Sequence, residues 1–314
     1  MKNKVVAVVV TYNPDLKRLK KNVEQLLSQV DKIIIVDNGS SNILFIQQYF
    51  KNVNIYVKSL CKNVGIAKAQ NIGFKEASLF DAKWVLTMDQ DSILANQSVQ
   101  SMLETEQASK QTTAILTPRY IDLNWTLEQK LNEDQKLSGD VQEMETVIAS
   151  GNLVSMDAWR AIGGYDEWLF IDQVDLDFDK RLQLAKFKIY QVNTIEMKHE
   201  IGEIINRPIL QKMLGFNRGK VFSDHSPMRQ YYIFRNRIVF WRRYPEVRGN
   251  EPYIRGSLTG SRHILLFQKQ RIKKLFGAWR GIKDAWLYDP EKDEHFQKLR
   301  GRAITYGNDR KNIR

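Results

Sequence analysis

The 314-residue chain has one cysteine, Cys61, along with four histidines and seven prolines. A lone cysteine excludes an intramolecular disulfide framework and points to a reducing compartment. No apolar run approaches the ~20 residues that a membrane-spanning helix needs. Lys2 and Lys4 before Val5–Val10 faintly resemble a leader, but the run is short and leads into Thr11-Tyr12-Asn13-Pro14 without a small-residue cleavage site. A buried first strand is therefore expected. There is no internal repeat and no low-complexity tract, which sets aside solenoids and biased linkers. Acidic residues are scarce in the last third. Residues 215–314 carry 23 Lys+Arg against 9 Asp+Glu, a net +14, whereas residues 1–214 carry 25 against 27, a net −2. A basic segment of this kind suits nucleic acid, an anionic membrane surface or plain solvent, and composition does not choose among them.

Residues 5–118 alternate β-branched runs with stretches of helical spacing. Strands are predicted at Val5–Thr11, Lys32–Val36, Val53–Val57, Trp84–Met88 and Ala114–Thr117, with helices over 15–29, 41–50, 64–80 and 94–108. In the first helix, Leu19, Val23, Leu26 and Leu27 share a face. Apolar strands separated by helices predict an α/β fold with a mainly parallel, doubly wound sheet flanked by helices. Ligands in such a sheet bind at the carboxyl ends of the strands. Residues 122–145 read as a polar excursion over the surface, 174–186 as a helix and 187–192 as a strand. After about residue 215 the pattern turns to basic, aromatic-rich helices. Two regions are expected, 1–214 and 215–314.

The chemistry-bearing segments fall at the predicted strand ends. Asp37-Asn38-Gly39-Ser40 follows the second strand, where a carboxylate can accept hydrogen bonds from a base or ribose. An Asx-turn with a serine cap explains it equally simply. Asn63-Val64-Gly65-Ile66-Ala67-Lys68 opens a helix that Asn63 can cap, with Lys68 placed to reach a diphosphate and helix amides that favour phosphate. A small-residue packing helix is the plain alternative. Asp89-Gln90-Asp91 follows a buried strand, and two carboxylates one residue apart are hard oxygen ligands suited to Mg²⁺ or Mn²⁺. Asp172, Asp175, Asp177 and Asp179 crowd into eight residues. Close like charges raise one another's pKa, which a general base exploits, although acids at a helix start also serve the macrodipole. His199, just past the last predicted strand, is a candidate nitrogen ligand.

Taken together these segments resemble family 2 of the inverting glycosyltransferases, with the GT-A fold. The matching order is Val-Thr-Tyr-Asn (10–13), Val-Asp-Asn-Gly-Ser (36–40), Asn-Val-Gly-Ile-Ala-Lys-Ala-Gln-Asn-Ile-Gly (63–73), Asp-Gln-Asp (89–91), Gly-Gly-Tyr-Asp-Glu (163–167), Phe-Ile-Asp-Gln-Val-Asp-Leu-Asp (170–177) and His-x-x-Gly (199–202). Each motif is modest alone, and their order over about 200 residues is what makes the match specific. His-Ser-Pro-Met-Arg-Gln-Tyr-Tyr-Ile-Phe-Arg-Asn (225–236) and Gly-Ala-Trp-Arg-Gly-Ile-Lys-Asp-Ala (277–285) are similar to the bacterial rhamnosyltransferase branch.

The resemblance implies a nucleotide-sugar-binding catalytic region, residues 1–214, with Thr11, Tyr12 and Asp37 around base and ribose and Asn63 and Lys68 near the donor. It implies Asp89 and Asp91 at a divalent metal, Asp91 the better ligand, with His199 completing the coordination. It implies Asp175 as general base, with Asp172 the competing carboxylate, because the adjacent Glu-Asp of many members is replaced here by two aspartates with two residues between. The Gln-x-x-Arg-Trp motif of processive synthases is absent, which favours addition of one or a few sugars. The implied donor is dTDP-L-rhamnose, with a UDP-sugar such as UDP-galactofuranose as alternative, and the implied acceptor is a lipid-linked surface saccharide in bacteria. The implied place is the cytoplasmic face of the cell membrane, with Trp241, Trp279 and Trp286 interleaved in the basic segment. A solvated face or a homodimer contact is the ordinary alternative for that segment. A nucleotidyltransferase would be expected to show a Gly-rich loop after the first strand, and Thr11–Asp15 offers none. A nucleic-acid-binding protein is disfavoured because the basic residues lie among amphipathic stretches such as Ile264–Trp279.

Overall fold

The computed structural model describes residues 3–122, 125–199, 224–248 and 252–312, with only the backbone at 198, 199, 253–255, 311 and 312. The expected boundary near residue 214 lies outside the described residues. The first strand, β1 (Val5–Thr11), is buried along its whole length. It pairs in parallel with β2 (Lys32–Asp37) on one side and β4 (Trp84–Asp89) on the other, and β2 pairs in parallel with β3 (Ile55–Ser59). Alternate valines feed two cores: Val6, Val8 and Val10 face one, Val5 and Val9 the other. This is why the run shows no polar alternation.

Helix α1 (Leu16–Leu27) starts where the Asp15 carboxylate accepts the amides of Lys17 and Arg18, and it buries Leu19, Val23 and Leu26. With α2 (Ile43–Tyr49) and α4 (Ser98–Leu103) it covers one face; α3 (Ile66–Ser78), α6 (Met156–Ile162) and α7 (Val174–Leu184) cover the other.

Beyond β4 the sheet is mixed. Its order is β3-β2-β1-β4-β8 (Asn152–Ser155)-β6 (Thr113–Asp122)-β9 (Lys188–His199)-β5 (Ile93–Leu94), with β7 (Val141–Met144) on β9. β8 runs antiparallel to both β4 and β6, and β6 and β9 run parallel. The region 122–145 is not a bare excursion. It holds α5 (Leu127–Asp134), opened by a Thr126–Gln129 capping box, and β7 (Val141–Met144), antiparallel to β9. The last strand runs to residue 199 rather than 192, because after a register shift at Pro118/Arg119 its second half pairs with the end of β6. The helix expected over 94–108 divides into β5 (Ile93–Leu94), α4 and a 3₁₀ turn at Glu106–Ser109.

The basic segment is helical where described: α8 (Pro227–Arg243), α9 (Pro245–Arg248), α10 (Tyr253–Phe267), α11 (Arg271–Leu287) and α12 (Glu294–Asn312). No described helix is long and apolar enough to cross a membrane.

Candidate active site

Three parallel strands end at one crevice, and each delivers a sequence-predicted residue. At the ends of β1 and β2, the Thr11 hydroxyl donates to Asp37 at 3.1 Å, and the other Asp37 oxygen accepts the Ser40 amide at 3.0 Å. Both residues are fully buried. Asp37 reaches the amide three residues on, and the next helix starts at Asn42 without a side-chain cap, so the Asx-turn with a serine cap expected as an alternative does not form. Tyr12 is half exposed, and its amide donates to the Gln90 side chain at 2.8 Å, tying the β1 loop to the β4 loop. Asn38 donates to the Asn63 side chain and accepts the Val64 amide, while Asn63 accepts the Gly65 amide.

Gly65 has φ +88°, and a Cβ there would stand 2.7 Å from Phe170. Glycine is thus required both by the left-handed backbone and by the close approach. The approach lets the Phe170 carbonyl accept the Ile66 amide at 2.7 Å and the Ala67 amide at 3.4 Å. Those two helix-start amides are therefore taken by the protein itself, which corrects the expectation that they stand open to phosphate. Lys68 is half exposed and sits 3.5 Å from Glu167. Glu167 also accepts from Asn71, whose side chain joins the Tyr165 backbone and Trp159 as well.

At the end of β4, the Asp89 amide donates to the Ser150 hydroxyl, and the Asp89 carbonyl accepts from Asn22. Asp91 is exposed. β5 follows at once and pairs Ile93 with Lys198, so the register sets the backbone of His199 beside the Asp89–Ser92 turn. The His199 side chain and residues 200–202 lie outside the described residues. Among the described residues no three acidic, His or Cys side chains close on a metal position. The donor chemistry nonetheless fits a hard divalent ion: two carboxylates in one turn, with a histidine backbone brought to that turn by strand pairing.

The acidic cluster divides sharply by environment. Asp177 is buried against Arg181 at 2.8 Å, Arg243 at 3.3 Å and the Tyr244 hydroxyl at 3.0 Å. Burial alone would raise the pKa of buried Asp166, yet the His295 hydrogen bond and the charges of Arg243 and Arg181 hold its carboxyl well below the usual range. Asp179 accepts the Val147 amide and burial pushes its carboxyl well up. Asp172 takes both guanidinium arms of Arg229, at 3.1 and 3.3 Å. Asp175 stands in the first turn of α7, half-buried and bonded to its neighbour's amide. Burial, with the negative charge of Asp172, raises its pKa despite backbone hydrogen bonds that lower it.

The loop between Phe170 and Gln173 is wound left-handed, with φ of +68°, +62° and +63° at Phe170, Asp172 and Gln173. α8 holds it there. The Asn236 amide donates to the carbonyls of Leu169, Ile171 and Asp172 at 2.7–3.0 Å, and Arg235 donates to Trp168 and Leu169. The sequence reading missed Asn71, Glu167, Arg229, Arg235, Asn236 and Arg243 as residues of the site's frame. The signal for five of them, all but Arg243, was their place inside the segments 63–73, 163–167 and 225–236.

The glycosyl transferase family 2 profile matches residues 6–156. Over 259 residues the chain is 29% identical to the dTDP-rhamnosyl transferase RfbF of Shigella flexneri, across 77% of this chain and 81% of that one. It is 33% identical over 110 residues to the hyaluronan synthase of Streptococcus pyogenes, across 32% of this chain and 26% of that one. Among solved structures, S. aureus TarS 1–349 in complex with UDP-GlcNAc superposes with a TM-score of 0.53 at 14% identity, over 99% of this chain and 92% of that one. GalNAc-T7 with UDP, GalNAc and Mn²⁺ gives 0.53 at 14% identity, over 81% and 52%. Strand-end motifs, sheet and relatives agree: residues 6–156 form a family 2 glycosyltransferase domain, and the protein is a glycosyltransferase with the GT-A fold.

Proposed function

We propose that the protein transfers L-rhamnose from dTDP-L-rhamnose to a hydroxyl of a lipid-linked saccharide in one inverting displacement. The observation that carries the mechanism is the unequal fate of the two neighbouring carboxylates. Asp172 is neutralised by Arg229, whereas Asp175 has no ion pair among the described residues and is held basic by burial. A base needs to be unpaired and to have a pKa shifted toward the working pH. Asp175 takes the acceptor proton as the acceptor oxygen bonds to the anomeric carbon. The bond from that carbon to the diphosphate oxygen breaks on the opposite side, and the nucleotide leaves with the electron pair. Asp172, fixed by Arg229, receives an acceptor hydroxyl.

On the donor side the Tyr12 ring offers a face to the base, and the Thr11–Asp37 pair sets the turn on which base and ribose rest. Asn63 shapes the loop beside it, and Lys68 turns from Glu167 to the diphosphate. Asp89, Asp91 and His199 would hold Mg²⁺ or Mn²⁺, which when bound neutralises charge building on the departing diphosphate. The donor reading draws on the likeness to the Shigella rhamnosyl transferase along most of both chains.

A turnover panel of nucleotide sugars with Mn²⁺ tests it. dTDP-L-rhamnose should be used fastest, and dTDP should inhibit more strongly than GDP. Faster use of GDP-mannose or UDP-glucose would remove the rhamnose assignment, and preference for UDP-galactofuranose would select the UDP alternative. The lipid-linked acceptor places the reaction at the cytoplasmic membrane face.

A further inference from the structure

Helix α11 carries its bulk on the side away from the protein. The face packed on α8 is lined by buried Lys274, Ala278, Gly281 and Ala285. A Cβ on Gly277 would stand 2.5 Å from the Pro227 carbonyl oxygen, and one on Gly281 would collide with that of Tyr231, so the two helix backbones lie in contact. The outer face, at the spacing of one helical stripe, carries Ile272, Phe276, Trp279, Lys283 and Leu287, with Trp286 at its edge. The five apolar side chains are 53–84% exposed. A helix of a water-facing bundle has the reverse arrangement, and a contiguous apolar stripe of this kind marks an interaction surface. Of the three tryptophans expected to serve the basic segment, Trp241 instead packs partly buried beside Phe240 and Tyr244.

The stripe is ringed by Lys269, Arg271, Lys273, Arg280 and Lys283, all exposed. The only acid of the helix, Asp284, is occupied by the Tyr231 hydroxyl at 2.7 Å. We propose that this outer face lies in the headgroup layer of an anionic phospholipid bilayer, apolar side chains inward and cations on phosphates. The proposal deepens the reading of a lipid-linked acceptor and rests on it for its purpose.

Charge selects a bilayer over a second copy. In a two-fold pairing the same patch meets itself. The cations around the stripe would then meet a rim of the same sign, whereas anionic lipid complements every one of them.

The attachment is mechanically close to the chemistry. Arg242 of α8 closes the end of α11 by donating to the carbonyls of Ala285 and Trp286 at 3.1 and 2.7 Å. The same α8 holds the loop of Asp172 through Arg229, Arg235 and Asn236. One helix thus separates the proposed membrane plane from the acceptor loop, and the bilayer fixes the angle at which a lipid-linked saccharide enters.

Vesicle flotation of the full chain tests this, using phosphatidylcholine alone and with about one-third phosphatidylglycerol. Binding to the anionic vesicles should be at least about tenfold tighter than to neutral ones and should fade in high salt. The double substitution Phe276→Glu with Trp279→Glu should weaken it by a further factor of about ten, since two exposed anchors are exchanged for anions. Turnover with a water-soluble acceptor should stay within about twofold, because neither side chain reaches the crevice. Unchanged vesicle binding in the double variant would overturn the proposal. So would a wild-type dimer in sedimentation that the substitutions dissolve, which would give the face to a second copy. Flotation uses no donor, so a wrong donor assignment and a wrong membrane face give separate results.

Discussion

Replacing Asn236 by alanine isolates the contribution of α8 to catalysis. The Asn236 side chain is fully buried and its amide meets three carbonyls, of Leu169, Ile171 and Asp172. An amide nitrogen carries two hydrogens, so one of the three contacts is shared and the count of full bonds is two. At a net ~1 kcal/mol each, the loss begins near 2 kcal/mol and rises toward about 4 kcal/mol where carbonyls stay buried without partners. The upper figure is limited because the loop can relax: three non-glycine residues at positive φ each store on the order of 1 kcal/mol, released when the clamp goes. The melting temperature should fall by on the order of 3–6 °C. Relaxation also carries Asp172 and Asp175 out of place, and a shift near 1 Å costs about 10²-fold in rate. Denaturation, steady-state kinetics and dTDP calorimetry on one preparation provide the test. The expected outcome is a kcat lower by about two orders of magnitude with nucleotide affinity little changed, since the β1 and β2 turns are untouched. Lost stability with wild-type kcat would refute the positioning role, and unchanged stability would refute the hydrogen-bond account itself.

Asp175→Asn should lower the rate by about 10²–10⁴ and abolish the acid limb of the pH–rate profile, while Asp172→Asn chiefly raises the acceptor KM; the reverse pattern moves the base to Asp172. The wild-type limb should lie above the ordinary aspartate value, because burial raises Asp175 and activity is lost as pH falls through that raised value. A chelator should stop turnover, Mg²⁺ or Mn²⁺ should restore it, and Asp91→Ala should lose turnover far more than stability; full activity in excess chelator removes the metal. Arg243→Met removes the buried cation that Asp166 and Asp177 share, leaving them Arg181 and His295, and should cost about 3–5 kcal/mol at neutral pH. Asp166 has a depressed pKa, so its stabilising share is present above the ordinary carboxylate range and lost as pH falls through the depressed value. The gap between wild type and Arg243→Met should therefore narrow on acidification, and a gap independent of pH would contradict the ion-pair account.

The first half of the sheet was legible because burial on both faces writes itself as unbroken β-branched runs, as in Val5–Val10 and Ile33–Val36. The strand-end motifs were legible for a related reason: Asp37 and Asp89 each close a buried apolar strand directly. β7 was not, since Val141–Met144 is a polar edge segment that becomes a strand only by pairing with β9 some 45 residues later. The frame supplied by α8 was hidden more deeply. Asn236 works on backbone carbonyls, which leave no mark in a sequence, and Arg243 looks like any surface base although it is buried between two carboxylates. Part of the +14 is accordingly internal, with Arg243 and Lys274 spent on Asp166, Asp177 and Asp224.

Those internal pairs decide how the molecule can be divided. A chain ended near residue 214 would retain the nucleotide-side turns but lose Arg243 and His295, the partners of Asp166, and Arg229, the partner of Asp172. Grafting the catalytic region onto another enzyme's tail would fail for the same cause unless the graft supplied a guanidinium at each of those places. The basic helices are thus not an appendage: they and the segment from Asp166 to Asp172 are joined by ion pairs and stand or fall as one piece.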